Sequence, residues 1–422
     1  MIVPKLQLHP DDSRLRSIIR AIRSPDSCWP ERILHDPLVV ARVRDRTVAL
    51  VCDPDALREV LSSDTNRFPR WLPVYRPTAD GKTRPNSIFV VDEHRWRGYR
   101  DAFAPLFAPN NVDVLVANSV SATEVAVARC MDDATTCVTR AALDIIWRTL
   151  LGDGPDARTS DDLDDQVYGL VDASRAGDLR AANQWIDTLV PVARHRGPGA
   201  LMGPDAPMAR MTNAGSAACP HLSDAEISDN FLALLYSGQE TTVTSIQWAI
   251  WLLGQDPGLQ DELRAEIREI LGEAVPTRSS LQKLRMLDSV LRETLRLLTP
   301  SISTARSCTE PFEVAGELLP AGSVLVVPIY AVHRHRSLWE DPEAFRPERH
   351  ARKLAHPMAY IPFSAGSHTC LAAKSSWYEL MAILVTLLRR VQFTTSAPEE
   401  VGLHNNLVLR PTCGYDVRLE RL

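Results

Sequence analysis

The hydrophobic pattern begins strand-like, becomes helical, and turns strand-like again near the end of the chain. Arg46-Thr-Val-Ala-Leu-Val-Cys52 is a short β-branched run that predicts a strand, set among stretches of amphipathic helix. A Pro- and Arg-rich stretch at residues 68–86 predicts a loop. From there to Arg390 helical periodicity dominates. Its longest segment carries its own boundaries. Ser223-Asp-Ala-Glu226 reads as a capping box, in which Ser and Glu each satisfy an N–H of the first turn, and Gly254 with Pro257 stops the helix. About 30 residues at roughly 1.5 Å each make a rod of roughly 45 Å, long enough to cross a whole domain. Further helices are predicted at 257–271, 287–298 and 371–389. Short strands are predicted at 312–314, 317–319 and 324–327, around Pro320-Ala-Gly322, with a last hairpin from 407–409 and 415–419. The class is mainly α with a small β subdomain. One domain over residues 1–422 is expected, strand-rich at about 30–90 and helical at about 91–422.

Composition narrows the function classes. With 422 residues, 45% hydrophobic and 24% charged, the chain can bury a large core without disulfides or metals. A net charge of −6 counts against nucleic acid as a partner, because a polyanion needs a basic surface. The eight cysteines lack CxxC or CxxCH spacing, which excludes zinc-ribbon, thioredoxin-type and c-type haem attachments and suits small buried hydrophobes in a reducing cytosol. The start carries no signal-peptide pattern, and no run reaches about 18 uninterrupted apolar residues. A soluble, cytoplasmic monomer without a membrane anchor is therefore expected.

Three places interrupt the apolar pattern with chemistry. Cys370 stands directly before an apolar helix, whose N-terminal N–H groups favour thiolate, the form that ligates metals. Gly366, four residues earlier, permits a tight backbone turn. Glu293 and Arg296 lie three apart on one helix face. Within the long helix, Ser237-Gly-Gln-Glu-Thr-Thr242 puts poor helix formers in mid-helix, and a Thr241 hydroxyl turned to the Ser237 carbonyl would loosen the ladder and open a pocket. Read alone, Cys370 is as well explained by an inert buried thiol, or by the nucleophile of a cysteine hydrolase working with His368. Colour separates the last case, since such a hydrolase has no haem absorbance.

The segment Phe363-Ser-Ala-Gly-Ser-His-Thr-Cys370-Leu-Ala-Ala resembles the haem loop of the cytochrome P-450 superfamily, Phe-x-x-Gly-x-(His/Arg)-x-Cys-x-(Gly/Ala), at every fixed position. Ser364 and Ala372 stand where Gly is common. Glu293-Thr-Leu-Arg296 with Phe345-Arg-Pro-Glu-Arg349 is similar to the family's Glu-Arg-Arg triad, with His335 where Asp is common. Ser237 to Thr242 is similar to its oxygen-activation motif, and Ser237 departs from the usual Ala or Gly. Trp96-Arg-Gly-Tyr-Arg100 resembles its Trp-x-x-x-Arg helix.

That resemblance implies a cytochrome P-450 fold with the long helix over the haem. It implies haem b (iron protoporphyrin IX) as cofactor, O2 as co-substrate, and Cys370 as axial ligand of the iron. Thr241 would hydrogen-bond dioxygen or its water, and Glu240 would relay protons. Trp96, Arg100, Arg306 and His368 would meet the haem propionates, with Phe363 and Gly366 shaping the loop. Glu293, Arg296 and Arg349 would form the structural triad. Ala233, Leu234, Tyr236, Ser237, Ile302, Ser303, Thr304, Leu407 and Val408 would line the substrate pocket.

The implied reaction inserts one oxygen atom into a C–H or C=C bond of an apolar small molecule. A fatty or terpenoid acid is one candidate class, because Arg70, Tyr75, Arg76, Lys82 and Arg84 lie near Phe68, Trp71 and Phe89, and Arg with Tyr suits a carboxylate; solvated loop charges over a generic apolar pocket are the alternative. No flavin segment follows Cys370, so electrons are expected from a ferredoxin or flavodoxin with its reductase, docking near Arg95, Arg97, Lys353 and Lys374. A peroxide-driven peroxygenase and a haem-based binding or sensor protein are the alternatives, and the Glu240-Thr241 pair counts against both.

Overall fold

Alternating β-branched residues build the first sheet. Strands β1 (Leu38–Val43) and β2 (Arg46–Val51) pair antiparallel, and β2 buries every residue after Arg46. The computed structural model describes residues 1–8, 29–43, 46–62, 65–71, 86–151, 222–406, 408–411 and 415–422. Helices α1 (Pro54–Ser62), α2 (Glu93–Phe103), α3 (Val112–Arg129) and α4 (Ala134–Leu151) follow. Next come the long α5 (Asp224–Leu253), α6 (Pro257–Leu271) and α7 (Arg285–Leu297). Strand β3 (Thr304–Ser307), the small hairpin β4 (Phe312–Val314) and β5 (Glu317–Leu319), and β6 (Val324–Val327) precede α8 (Ala373–Arg390). The last strands are β7 (Val391–Thr395), β8 (Leu403–Asn406), β9 (Val408–Pro411) and β10 (Val417–Arg421).

The four-stranded sheet has the order β1-β2-β6-β3, with β2 parallel to β6 and the other pairs antiparallel. It therefore joins the strand-rich start of the chain to the segment that follows α7. The class is mainly α with small sheets, as the pattern predicts.

Helix α5 forms where its caps predict. Ser223 accepts from Glu226 N at 3.3 Å, and Glu226 accepts from Ser223 N at 2.9 Å. Gly254 ends the helix for a different reason from the usual left-handed cap. Its φ is −62°, and an added Cβ would lie 2.2 Å from Thr395 Oγ1, so the glycine is required by the close approach of β7. Around Trp248 and Trp251, α5 is apolar on all sides and fully buried, as is α8 from Leu380 to Leu388, apart from Thr386. Each such large side chain contributes about 1.5–3 kcal/mol on burial. These two helices are the core against which the site is built.

The final strands differ from expectation. The two predicted segments are strands, but they do not pair with each other. β9 pairs with β8 immediately before it, and β10 pairs with β7, the continuation of α8. Val417 and Leu419 alternate inward on β10, in register with Thr395 and Phe393 of β7, so burial selects the distant partner.

Candidate functional site

The best-satisfied charged cluster sits between α7 and the segment that follows β6. Arg296 grips Glu293 bidentately, with Nε–Oε2 and Nη2–Oε1 both 2.8 Å, and both side chains are fully buried. The remaining Arg296 protons go to the carbonyls of His333, Pro342 and Ala344 at 2.8, 2.7 and 3.0 Å. Arg349 Nε donates to Glu293 Oε1 at 3.0 Å, as does Arg346 N at 2.8 Å. A further donor escapes the motif reading: His350 Nε2 lies 2.9 Å from Glu293 Oε2. Burial would raise the Glu293 pKa, but the hydrogen bonds from Arg296 and His350 outweigh it and hold the carboxyl down at about 2.

His333 carries this order toward Cys370. Its Nδ1 faces Arg296 O at 3.2 Å, and its Nε2 accepts from Ile361 N at 2.9 Å. Burial, then the charges of Arg296 and Arg334, lower its pKa to about 3, so the ring is neutral and donates through Nδ1. Two residues past Ile361, Phe363 O accepts from Cys370 N at 2.9 Å and from Thr369 Oγ1 at 3.2 Å. Gly366 has φ +70°, and Ser364 has φ +60°, a conformation glycine adopts freely and serine does not. The loop thus turns twice and delivers Cys370 three residues before α8.

Cys370 opens onto a cavity of about 360 Å³, within the usual size range of ligand sites. The thiol is exposed to that cavity, yet the protein around it still raises its pKa, against the opposing N–H of Ala372 and the charge of Arg100. One wall is α5: Leu234, Ser237, Gly238, Thr241, Thr242 and Ser245 all line the cavity. Their 3- and 4-residue spacing puts them on one helix face. Thr241 Oγ1 donates to Ser237 O at 2.8 Å, the back-bond read from the sequence. At Gly238 an added Cβ would lie 2.7 Å from Ile146 of α4, so this glycine sets the distance between two helices.

Glu240 is turned about 100° from Thr241. It does not line the cavity, and instead forms a buried ion pair with Arg410 of β9. Ala233 and Tyr236 share that side of the helix and are also absent from the lining. Ser303 and Thr304 line the cavity, whereas Ile302 and Val408 are buried in the apolar interior, Ile302 with its carbonyl accepting from Tyr330 N. Leu407 lies outside the described residues, as do Tyr75, Arg76, Lys82 and Arg84.

At the cavity edge, Trp96 of α2 packs against His368, with ring centroids 3.9 Å apart and ring planes tilted by 44°. Arg100 and Arg70 each lie over the Trp96 ring at 5.4 Å. Arg70 is missed as a member of this group by motif reading. Backbone pairing of the Pro69–Trp71 stretch with β3 places it beside Arg306. Its guanidinium donates to the carbonyls of Ile88 and Val91 at 2.9 and 2.7 Å. Arg100 donates to Thr369 O at 2.9 Å, tying α2 to the Cys loop. Burial, followed by the charges of Arg306, Arg70, Arg100 and Arg97, lowers the His368 pKa to about 3. Glu93 lies 3.2 Å from His368 Nε2 and 3.9 Å from both Arg70 and the exposed Arg97.

This edge of the cavity tests the fit of a cofactor. Among the described residues the buried Nδ1 of His368 has no hydrogen-bond partner, and the charges that act most on its ring are those of arginines. A flat apolar group with carboxylate arms meets both conditions, and Cys370 offers sulphur to a metal at its centre. Of the expected docking cations, Arg95 is paired with Glu226 at 2.9 Å and Arg97 lies 3.9 Å from Glu93, while Lys353 and Lys374 are exposed.

The family model described as Cytochrome P450 matches residues 202–419. "Cytochrome P450 4V2" of Mus musculus is 36% identical over 206 residues, 47% of this chain and 39% of the relative. "Cytochrome P450 3A12" of Canis lupus familiaris is 34% identical over 189 residues, 44% of this chain and 38% of the relative. "Putative cytochrome P450 139" of Mycobacterium tuberculosis is 33% identical over 207 residues, 47% of this chain and 48% of the relative. In each case the match spans less than half of the relative's length. The family match covers just over half of the chain, which belongs to the cytochrome P450 family.

Proposed function

We propose that this chain is a haem-thiolate monooxygenase. Haem b would sit in the cavity with Cys370 holding its iron through sulphur, and the enzyme would insert one atom of O2 into a C–H or C=C bond of an apolar small molecule. Electrons come from a separate ferredoxin or flavodoxin with its reductase. The observation that carries this reading is that Cys370 and Thr241 open on one cavity with Arg100, Arg306 and His368 at its edge. Bound haem supplies oxygen activation, with the thiolate favouring O–O cleavage.

The chain's own residues supply position, charge and dryness. Arg100, Arg306 and His368 would hold the carboxylate arms, while Trp96 and Phe363 would cover apolar surface. Thr241 gives its proton to Ser237 O, so its oxygen is free to accept from the O–H of water or of a substrate hydroxyl. Ile88, Phe89 and Leu234 exclude water from the space above. A carboxylate on the substrate would depend on residues 72–85, because Arg70 is committed to backbone carbonyls. Titration with an acid and its methyl ester separates the two cases.

The test is the carbon monoxide difference spectrum of the reduced protein. The wild type shows the thiolate-ligated band, and Cys370→Ser loses it together with turnover. A Cys370→Ser protein that keeps the band overturns the assignment. Thr241→Ala is expected to keep the band while giving less product per reductant consumed. The Glu240–Arg410 pair favours a second reading, a peroxygenase, since it turns the expected acid away from the cavity. Peroxide-driven turnover that exceeds reductant-driven turnover would select it.

A further inference from the structure

The cavity wall formed by α4 and α5 carries the hydroxyls of Thr149, Ser237, Thr241, Thr242 and Ser245. Most of their protons are committed. Thr149, Thr241 and Ser245 donate to the carbonyls four residues back at 2.8, 2.8 and 2.7 Å. Thr242, buried against α8, donates to the carboxyl of Glu379. Ser237 differs. Its Oγ reaches the carbonyl three residues back, Leu234 O, at 3.3 Å, longer than the roughly 2.5–3.0 Å of an ordinary O–H···O bond. Its side chain is half-buried and lines the cavity.

The surroundings of this hydroxyl are apolar. Leu234 lies one turn before it on the same face of α5, and Ile146 of α4 crosses close to its neighbour Gly238. Asn230, seven residues before Ser237 and on that face too, accepts from Ile88 N at 2.8 Å, which brings Ile88 and Phe89 to this wall. The arginines that line the cavity, Arg70, Arg100 and Arg306, come from other elements and gather about His368. A methylene laid over Ser237 would bury a poorly satisfied hydroxyl, whereas an oxygen placed there would complete its hydrogen bond.

We propose that Ser237 determines substrate specificity by donating to a neutral oxygen, a carbonyl or a hydroxyl, carried on an otherwise apolar molecule. The proposal rests on the monooxygenase reading and narrows its substrate class. A carboxylate suits this wall poorly, since Ser237 has one proton to give and, among the described residues, no lysine or arginine of α4 or α5 lines the cavity. Thr241 lies one turn further along the helix, about 6 Å on at roughly 1.5 Å per residue. An oxygen held at Ser237 therefore sets which bond of the molecule is presented beside Thr241.

Equilibrium binding to the haem-loaded protein, measured by calorimetry, tests this without turnover. Menthone, menthol and p-menthane share one carbon skeleton and carry a carbonyl, a hydroxyl and no oxygen. The wild type is expected to bind the better oxygenated probe about 10-fold more tightly than p-menthane, the discrimination of one hydrogen bond. In Ser237→Ala, a substitution that favours the helix, the gap should shrink below about twofold while p-menthane binding is retained. Product analysis gives a second readout, with one oxidised position dominant in the wild type and several in the variant. Tighter binding of menthone identifies a carbonyl as the partner, and tighter binding of menthol a hydroxyl. No gap in the wild type, or a gap that survives Ser237→Ala, overturns the proposal. Absence of the carbon monoxide band from the wild type would instead sink the monooxygenase reading, leaving the calorimetric gap to stand alone.

Discussion

Two of the charged clusters among the described residues, one around Glu293 and one around Trp96, are built on opposite rules. Around Glu293, donors and acceptors close on one another. Arg296, Arg349, Arg346 N and His350 surround the carboxylate, and the spare Arg296 protons end on carbonyls. Around Trp96, the guanidinium groups of Arg70, Arg100 and Arg306 gather about His368, and among the described residues a buried nitrogen of that ring has no hydrogen-bond partner. A closed network can stabilise the fold by itself. An unbalanced one costs the empty protein and stabilises whatever anion enters it. The first kind holds the Cys370 loop through His333 and Ile361, and the second kind suits an anionic group.

If that contrast is right, the largest effect comes from breaking the closed cluster. Glu293→Ala leaves buried guanidinium groups without their carboxylate, a loss of about 3–5 kcal/mol. Mostly insoluble protein is the expected outcome, and a wild-type urea midpoint would show the cluster to be dispensable. The same carboxylate sets an acid limit. Its folded pKa of about 2 lies below its ordinary 4.5, so its stabilisation is complete above pH 4.5 and disappears as pH falls through 2. That window is worth about 3 kcal/mol at roughly 1.4 kcal/mol per pH unit.

His333→Gln comes next. Neutral His333 joins the Arg296 carbonyl to Ile361 N, so its loss should cost about 2 kcal/mol at pH 7, measured by urea unfolding. Its folded pKa of about 3 lies below the ordinary 6.5, so the unfolded chain takes up the proton first. Wild-type stability should therefore fall as pH drops from 6.5 toward 3, and this slope should be shallower in the variant. Parallel slopes would show that another group titrates there.

Arg100→Gln should behave the other way. Burial lowers the Arg100 pKa, so its charge is costly in the empty protein. Haem-free stability is expected to change by less than about 1 kcal/mol, while haem retention falls about 10-fold, a difference of about 1.4 kcal/mol. A large loss of haem-free stability with normal haem retention would erase the distinction between the clusters.

These effects follow how far each residue was legible beforehand. The Cys370 loop, the capping box of α5 and the Glu293–Arg296 spacing are local patterns, and local patterns survive in one dimension. The phase of a helix is only half local. Thr241 was placed by its own back-bond, but Glu240 was expected to share its pocket, and one step of about 100° turns it to Arg410. Arg70 and His350 carried no local signal. Each joins its cluster through a partner more than fifty residues away: Arg306 and Glu293. The strand pairings failed to read for the same reason, since β10 chooses β7 by which residues it can bury.

The smallest effect compares two neighbours within the Cys370 loop. Gly366 and Ser364 both have positive φ, +70° and +60°. At Gly366 the residue matches the backbone. At Ser364 it does not, and a left-handed serine costs about 1–2 kcal/mol. Its buried Oγ also lacks a hydrogen-bond partner among the described residues, which adds about 1 kcal/mol. Against these, a glycine gains about 0.5–1 kcal/mol of entropy when the chain unfolds. Ser364→Gly should therefore stabilise the protein by about 1 kcal/mol, and Gly366→Ser should destabilise it by a similar amount. Thermal unfolding of the two variants measures the pair. A Ser364→Gly protein that melts below the wild type would mean that serine at this position does something for the loop that its backbone angle does not show.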